Sequence, residues 1–459
     1  MGTSGTTQLF VACTQYAAAT VTAAIRSGLF GERSAHRRVL VVSDPSTLPE
    51  VGTPLDRMPG FEALRPEFDA VHSWNDFIQP FHPGHWSPRE QDTALWERAL
   101  RRAWGLGRGA VEIACESIQG ATAQAMARIF QDSPLHIYAD GLMSYGPTRG
   151  PVDPSVGSRI KRLLYVDLVP GLRPLLLTEF GVEPTIVPTE AVKETLNQLS
   201  RVAGPSAHLE QSSDAPVLLL GQYLSAIGVL SPREEQELHL RMLRGAAGLG
   251  HKTVVFKSHP SAPPGWSRAL EREAEPLDVE FRTLDTPVLA EVACQWLRPA
   301  LVVSCFSTAL FTASRLYGLP VARVGTEVLL ERLTPYQNSN RVPVTIVDAL
   351  LPDLEDGEAS TTWRFPDEDR VQDALGDLVR AVGFVMQPEH HSALRPTAER
   401  YLSRHLDSHT WRYFKRRRLT GLGLPGAPPA RLAFVPRTAT LRRTARGVRA
   451  LKRAVSRRA

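Results

Sequence analysis

Cysteine is scarce in this chain. The four residues, Cys13, Cys115, Cys294 and Cys305, stand far apart with no CxxC pair and no histidine cluster around them. That excludes a disulfide scaffold and a structural zinc site, and it fits a reducing, cytoplasmic setting. Lysine is scarce for its class, with six of the 53 basic residues, so the arginine count reflects a compositional bias and does not by itself signal phosphate recognition. Long apolar runs are missing too. The charge-free stretch between Arg298 and Arg315 contains Ser304, Ser307 and Thr308, and it falls short of the ~20 apolar residues a spanning helix needs. Residues 1–25 carry no charged side chain, which invites a secretion-signal reading. There is no basic start, however, and Thr14, Gln15 and Tyr16 interrupt the apolar core, so a strand Leu9–Cys13 and a small-residue helix from about Ala17 to Ile25 account for it better.

Acidic residues are absent after Asp407. The formal charge of +5 therefore divides into a body, residues 1–407, with 38 basic against 48 acidic residues, and a C-terminal stretch with fifteen Arg and Lys. A mildly acidic body with a basic tail is not a chain that coats nucleic acid. In the tail, Leu441, Val448, Leu451 and Val455 recur at helical spacing among Arg442, Arg443, Arg446, Arg449, Lys452 and Arg453. This suits a basic amphipathic helix on an anionic membrane surface. A disordered, solvated tail accounts for it equally well, because Gly447 weakens the helix. With no accompanying fold signature, nucleic-acid binding is the weakest of the three.

What is present is a rhythm. Apolar runs rich in Val, Ile and Leu alternate with helix-length amphipathic segments. The strand candidates in the first half are Leu9–Cys13, Val39–Ser43, Val111–Cys115 and Leu135–Tyr138. After a Ser-, Gly-, Ala- and Pro-rich stretch at residues 201–215 the rhythm restarts with Val217–Leu220, Thr253–Lys257, a strand near Val279–Arg282, Ala300–Ser304 and Val321–Val324. This predicts an α/β chain of two Rossmann-like, doubly wound domains facing a cleft, the GT-B layout. The expected divisions are a first Rossmann-like domain over 1–200, a second over 214–392, crossover helices over 393–424 and a basic tail over 425–459.

Ligands of open parallel sheets bind past the carboxyl ends of strands, so polar residues there come first. Strand Val254–Phe256 runs into Lys257, Ser258, His259 and Pro260; His259 is a candidate phosphate ligand or general acid, with Pro260 stiffening its loop. Strand Leu301–Val303 runs into Ser304, Ser307 and Thr308, hydroxyls at a helix start that suit an anion, although plain capping explains them as well. Glu291, early in a helix, is a candidate for a ribose diol. In the first half, Leu135–Tyr138 runs into Ala139, Asp140 and Gly141, where the glycine lets the chain turn and present the carboxylate; an ordinary Asp-Gly turn is the alternative, and Glu116 is the competing carboxylate. Gln15 and Gln222, past the first strand of each domain, are lesser candidates for donor or acceptor contacts. The aromatic segment Trp74 to Trp86, with His82 and His85, reads as acceptor-side or as core beneath a loop.

Taken together, Ala139-Asp140-Gly141, His259-Pro260 and Ser304…Ser307-Thr308, in this order and at strand ends, make the sequence resemble bacterial sialyltransferases, most closely the polysialyltransferase-like family. The resemblance implies an inverting, metal-independent transfer, without cofactor, from a CMP-linked sialic acid or related nonulosonic acid to a glycan acceptor hydroxyl in cell-envelope glycan synthesis. It implies Asp140 as general base, His259 as donor to the leaving phosphate, Ser307 and Thr308 as phosphate ligands, Glu291 on the ribose and the Lys257 segment on the cytosine. The family motif has two acidic residues and this chain has Ala139 at the first, which leaves Asp140 to carry the role. Two rivals remain at this level: another two-Rossmann sugar-nucleotide enzyme (a UDP-sugar transferase or an epimerase), and a non-catalytic member that binds glycan or nucleotide.

Overall fold

The computed structural model describes residues 5–139, 141–204, 215–259, 262–263, 265–357 and 362–427. Asp140, Pro260 and the proposed amphipathic helix of the tail lie outside the described residues, as does most of the stretch read as an interdomain linker.

The first unit is a seven-stranded, wholly parallel sheet. Its strands are β1 (Thr6–Ala12), β2 (His36–Val42), β3 (Ala70–Ser73), β4 (Val111–Cys115), β5 (Leu135–Ala139), β6 (Ile160–Val166) and β7 (Pro184–Val187), in spatial order β3-β2-β1-β4-β5-β6-β7. The second is five-stranded and also parallel: β8 (Val217–Leu220), β9 (Thr253–Lys257), β10 (Glu280–Thr283), β11 (Leu301–Ser304) and β12 (Val321–Arg323), in order β10-β9-β8-β11-β12. Both orders reverse beside their first strand, between β1 and β4 and between β8 and β11. These are the switch points at which open α/β sheets hold ligands.

Burial on both faces is what drives the strands. In β1 the two-residue period sends Leu9 and Val11 into one core, with Val39, Val41, Ile113 and Ile137. Phe10 and Ala12 go into the other, with Leu40, Val42, Ala114 and Tyr138. The second core is continuous with that of the second unit, where Leu218, Val255, Val302 and Phe311 belong to the same cluster. At ~25 cal/mol per Å² of apolar surface removed from water, a shared core of this kind joins the two units more firmly than a polar seam would.

The helix Thr189–Ala203 carries the chain out of the first unit and runs beyond the expected boundary at residue 200. It rests on the helix Ala290–Leu297, where Gln295 Nε2 donates to Leu196 O at 3.4 Å and Trp296 Nε1 to Ser200 O at 3.4 Å. The return to the first unit begins before residue 393. Gly171 lies so close to the backbone of Glu368 that a β-carbon would stand 2.6 Å from its carbonyl oxygen, and Gln387 Nε2 donates to Arg149 O. Downstream, the chain is tied to the second unit: Tyr413 Oη donates to the buried carboxylate of Asp348 at 2.8 Å, and Arg412 pairs with the same group at 3.2 Å. Two doubly wound units with facing carboxyl edges and a returning C-terminal segment form the GT-B arrangement.

Candidate functional site

The second-unit half of the site is built around the end of β8. Gln222 lies two residues past that strand, and its Oε1 accepts the backbone N–H of Phe306 at 2.9 Å. The hydroxyl of Ser304, fully buried, donates to Leu220 O at 2.9 Å and lies 3.4 Å from Gln222 Oε1. These bonds bind the loop after β11 to the loop after β8 across the switch point. The chain then enters the helix Ala309–Tyr317 through Ser307, whose Oγ accepts from Ala309 N at 3.2 Å, with Thr308 in the cap position making no side-chain capping bond. Among the described residues, the N–H groups of Ser307 and Thr308 meet no hydrogen-bond acceptor. Two free amides and a free hydroxyl at the positive end of a nine-residue helix suit an anion.

Glu291 is almost completely buried in the first turn of its helix and accepts from Thr312 Oγ1 at 2.7 Å, so the helix carrying Thr308 also positions this carboxylate. Burial pushes its carboxyl above the ordinary range, while the Thr312 hydroxyl and the Lys257 charge pull it back. Lys257 ends β9, half-buried. Burial lowers its ammonium to about 8, against the opposing pull of Glu291 and Asp285. The imidazole of His259 reaches solvent. Partial desolvation of the ring lowers its pKa, and the neighbouring Lys257 charge lowers it further.

The structure adds an aromatic support that the sequence reading missed. The Tyr223 ring is centred 5.9 Å from that of His259 and meets the edge of buried Trp266 at 5.8 Å. Trp266 in turn contacts His239, which packs on Phe256 of β9. A chain of rings thus runs from the strand core to His259. The signal was available in the apolar and aromatic residues just past β8, but nothing in the local pattern paired Tyr223 with a residue 36 positions away.

In the first unit, Thr14 caps the helix Gln15–Arg26, and Gln15 is buried, its Nε2 donating to Pro59 O at 2.8 Å. That bond ties the helix start to the turn at Pro59. Glu116, just past β4, accepts the N–H of Cys13 at 3.1 Å and so bridges the first switch point. Gly141 follows β5 in extended backbone (φ −140°) and leads into the 3-10 turn Leu142–Tyr145, where Ser144 Oγ donates to Gly141 O at 3.0 Å.

The two halves meet at Gly141. A β-carbon on this residue would stand 2.9 Å from Thr308 Oγ1 of the second unit. The motif glycine and the Ser-Thr helix start, 167 positions apart in sequence, therefore face each other across the cleft. Val342, at the start of the helix Arg341–Leu350, lies against Gly146 at the other end of the same turn. The sequence reading did not single out this part of the second unit. Among the described residues there is no group of three or more His, Cys, Asp or Glu that could hold a metal ion.

Comparison with solved structures gives matches at low identity. A sialyltransferase from Photobacterium damselae (residues 113–497, its GT-B domain) is 12% identical over 74% of this chain and 96% of that one, with a TM-score of 0.38. Acinetobacter baumannii MurG is 11% identical over 86% and 98%, with a TM-score of 0.39. S. aureus MnaA with UDP is 11% identical over 84% and 98%, with a TM-score of 0.42. A search of curated proteins found no match. The model of one family, alpha-2,8-polysialyltransferase, matches residues 8–326, well over half of the chain. On that match the chain belongs to the alpha-2,8-polysialyltransferase family and so to the glycosyltransferases.

Proposed function

We propose that the protein transfers sialic acid, or a related nonulosonic acid, from a CMP donor to a hydroxyl of a glycan acceptor, with inversion and without a metal ion. The observation that carries this reading is the approach of Gly141 to Thr308. It sets the residue next to Asp140 in sequence against the helix start suited to the donor phosphate. In the proposed step the acceptor oxygen attacks the anomeric carbon and the bond from that carbon to the phosphate oxygen breaks. The acceptor proton passes to Asp140 and CMP departs with the bonding pair. Negative charge develops on the phosphate, where preplaced donors act most strongly: the N–H groups of Ser307 and Thr308, the Thr308 hydroxyl, and the His259 imidazole. Glu291 receives the ribose hydroxyls and the Lys257 segment the cytosine. Ser304 and Gln222 hold the phosphate loop in shape, and Pro260 stiffens the His259 loop. Gln15 acts from the first unit by fixing the helix start beside the acceptor.

The proposed setting is cell-envelope glycan synthesis in the cytoplasm, with the basic tail resting on an anionic membrane surface. Among the described residues no helix is long and apolar enough to cross a membrane. The deciding assay offers CMP- and UDP-activated sugars to the wild-type protein and to Asp140→Asn and His259→Ala. Transfer from the CMP donor alone, slowed at least a hundredfold by each change, is the expected result. Transfer from a UDP sugar, or from CMP with neither variant slowed, refutes the reading.

A further inference from the structure

Beyond β2 and β3 the first unit carries an aromatic ledge with no part in the chemistry above. The chain leaves β3 through the short helix Trp74–Ile78, whose Asn75 clasps Asp44 just past β2 by two bonds of 3.0 and 2.9 Å. It then turns so that the His82 ring bonds to Ser46 O at 2.9 Å and the Gly84 N–H bonds back to His82 Nδ1 at 3.1 Å. This places the 81–86 loop at the carboxyl ends of β2 and β3, on the same edge as Gly141. Trp86 is held rigidly beneath by the edge of Trp96 at 4.8 Å and by buried Trp74 at 5.7 Å. Phe81 stacks on Trp86 with centroids 6.1 Å apart and remains 50% exposed. His82 and His85 stack on each other beside this pair at 5.2 Å.

An exposed ring on a rigid aromatic base, with the exposed His85 imidazole beside it, offers an apolar face together with a polar group for sugar hydroxyls, while both ring nitrogens of His82 are engaged within the loop. Sugar rings present those two features together. Its distance from the cleft follows from the strand order. β2 and β3 lie three and four strand steps from β5, so at ~4.8 Å a step the ledge is roughly 15–20 Å from Gly141. That separation is the reach of a short oligosaccharide and too far for the single ring being glycosylated. We infer that the Phe81–Trp86 ledge binds a distal part of the acceptor chain, several sugars back from the reacting end, and so favours acceptors already extended. The inference rests on the glycan-acceptor reading and adds the recognition of acceptor length.

The test measures binding without a donor, which separates it from any failure of the proposed reaction. Titrations of the wild-type protein with short (one or two sugars) and long α2,8-linked oligosialic acid give tighter binding of the long chain. Phe81→Ala reduces the long-to-short affinity ratio about fivefold to tenfold, which corresponds to about 1–1.4 kcal/mol. Phe81→Tyr, which keeps the ring, preserves the ratio. An unchanged ratio in Phe81→Ala, or no preference for the long chain in the wild type, overturns the inference. Exposed Leu48, Val51 and Leu95 supply the competing outcome. If Phe81→Ala releases the protein from anionic phosphatidylserine vesicles and leaves the length preference intact, the ledge is a membrane contact and the inference fails. If long chains bind through the ledge but no CMP sugar is transferred, the ledge stands and the proposed reaction falls.

Discussion

Substituting alanine at Gly141 probes the meeting of the two units with a single methyl group. The backbone there is extended, at φ −140°, so alanine brings no local strain. The methyl would, however, lie 2.9 Å from Thr308 Oγ1, where ordinary contact begins at 3.4 Å, so either the cleft opens by about half an ångström or the hydroxyl turns away. Overpacking of this kind costs about 1–3 kcal/mol. Charged against the closed arrangement, 1–2 kcal/mol corresponds to a fall of roughly fivefold to thirtyfold in kcat/KM. The effect of the glycine on its neighbour Asp140 must be separated from the clash, and a double-mutant cycle does this. Thr308→Ala slows transfer by removing a phosphate donor, but it also removes the obstructing oxygen and leaves only the β-carbon at 3.8 Å. Adding Gly141→Ala in that background then costs little, and the cycle returns a coupling of about 1–2 kcal/mol. The assay is steady-state transfer from a CMP donor for the four proteins. Equal effects of Gly141→Ala in both backgrounds would show that the two residues do not touch, and the reasoning would fail.

Two further predictions concern the donor pocket. Lys257 is protonated below about pH 8 and neutral above it, because burial lowers its pKa from the usual 10.5. CMP affinity therefore holds on the acid side of 8 and falls above it, by at most about tenfold per pH unit. His259, held below its usual range, is already neutral over that interval and contributes no slope. Calorimetry between pH 7 and 10 checks this; a flat profile in the wild type, or the same slope in Lys257→Met, contradicts it. Thr312→Val removes the hydroxyl that donates to buried Glu291 at 2.7 Å. The loss of a donor to a buried carboxylate costs about 1–3 kcal/mol, with weaker CMP binding and a lower melting temperature. Thr312→Ser, which keeps the hydroxyl, stays close to the wild type in both measurements, and similar losses in the two variants would rule out the hydrogen bond as the cause.

The double-wound layout was legible because its central strands are buried on both faces. Runs such as Leu9–Val11, Val217–Leu220 and Leu301–Val303 therefore announce themselves. The strands that were missed lack that signature. β3 is four half-buried residues, β6 opens with Lys161 and Arg162 after a single isoleucine, and β7 begins with proline at the sheet edge. In the candidate site, residues just past apolar strands were legible from the switch-point rule alone. Their pairing was not. That Glu291 would bond to Thr312, that Gln222 would cap the Phe306 N–H, and that Gly141 would oppose Thr308 all depend on tertiary placement. Helical and strand periodicities carry no record of such contacts. The same holds for Tyr223 beside His259, and for the Trp74 to Trp86 segment, where the sequence favoured core packing over acceptor contact. In the structure Trp74 is buried and Phe81 is exposed.

The central claim is that one nucleotide sits at the second switch point with its phosphate toward the first unit. A crystal structure with CMP tests it most directly. The expected complex has the phosphate on the N–H groups of Ser307 and Thr308 within reach of His259, the ribose hydroxyls on Glu291 and the base beside Lys257. A nucleotide bound elsewhere, or one whose base rather than phosphate meets the Thr308 helix start, would contradict it.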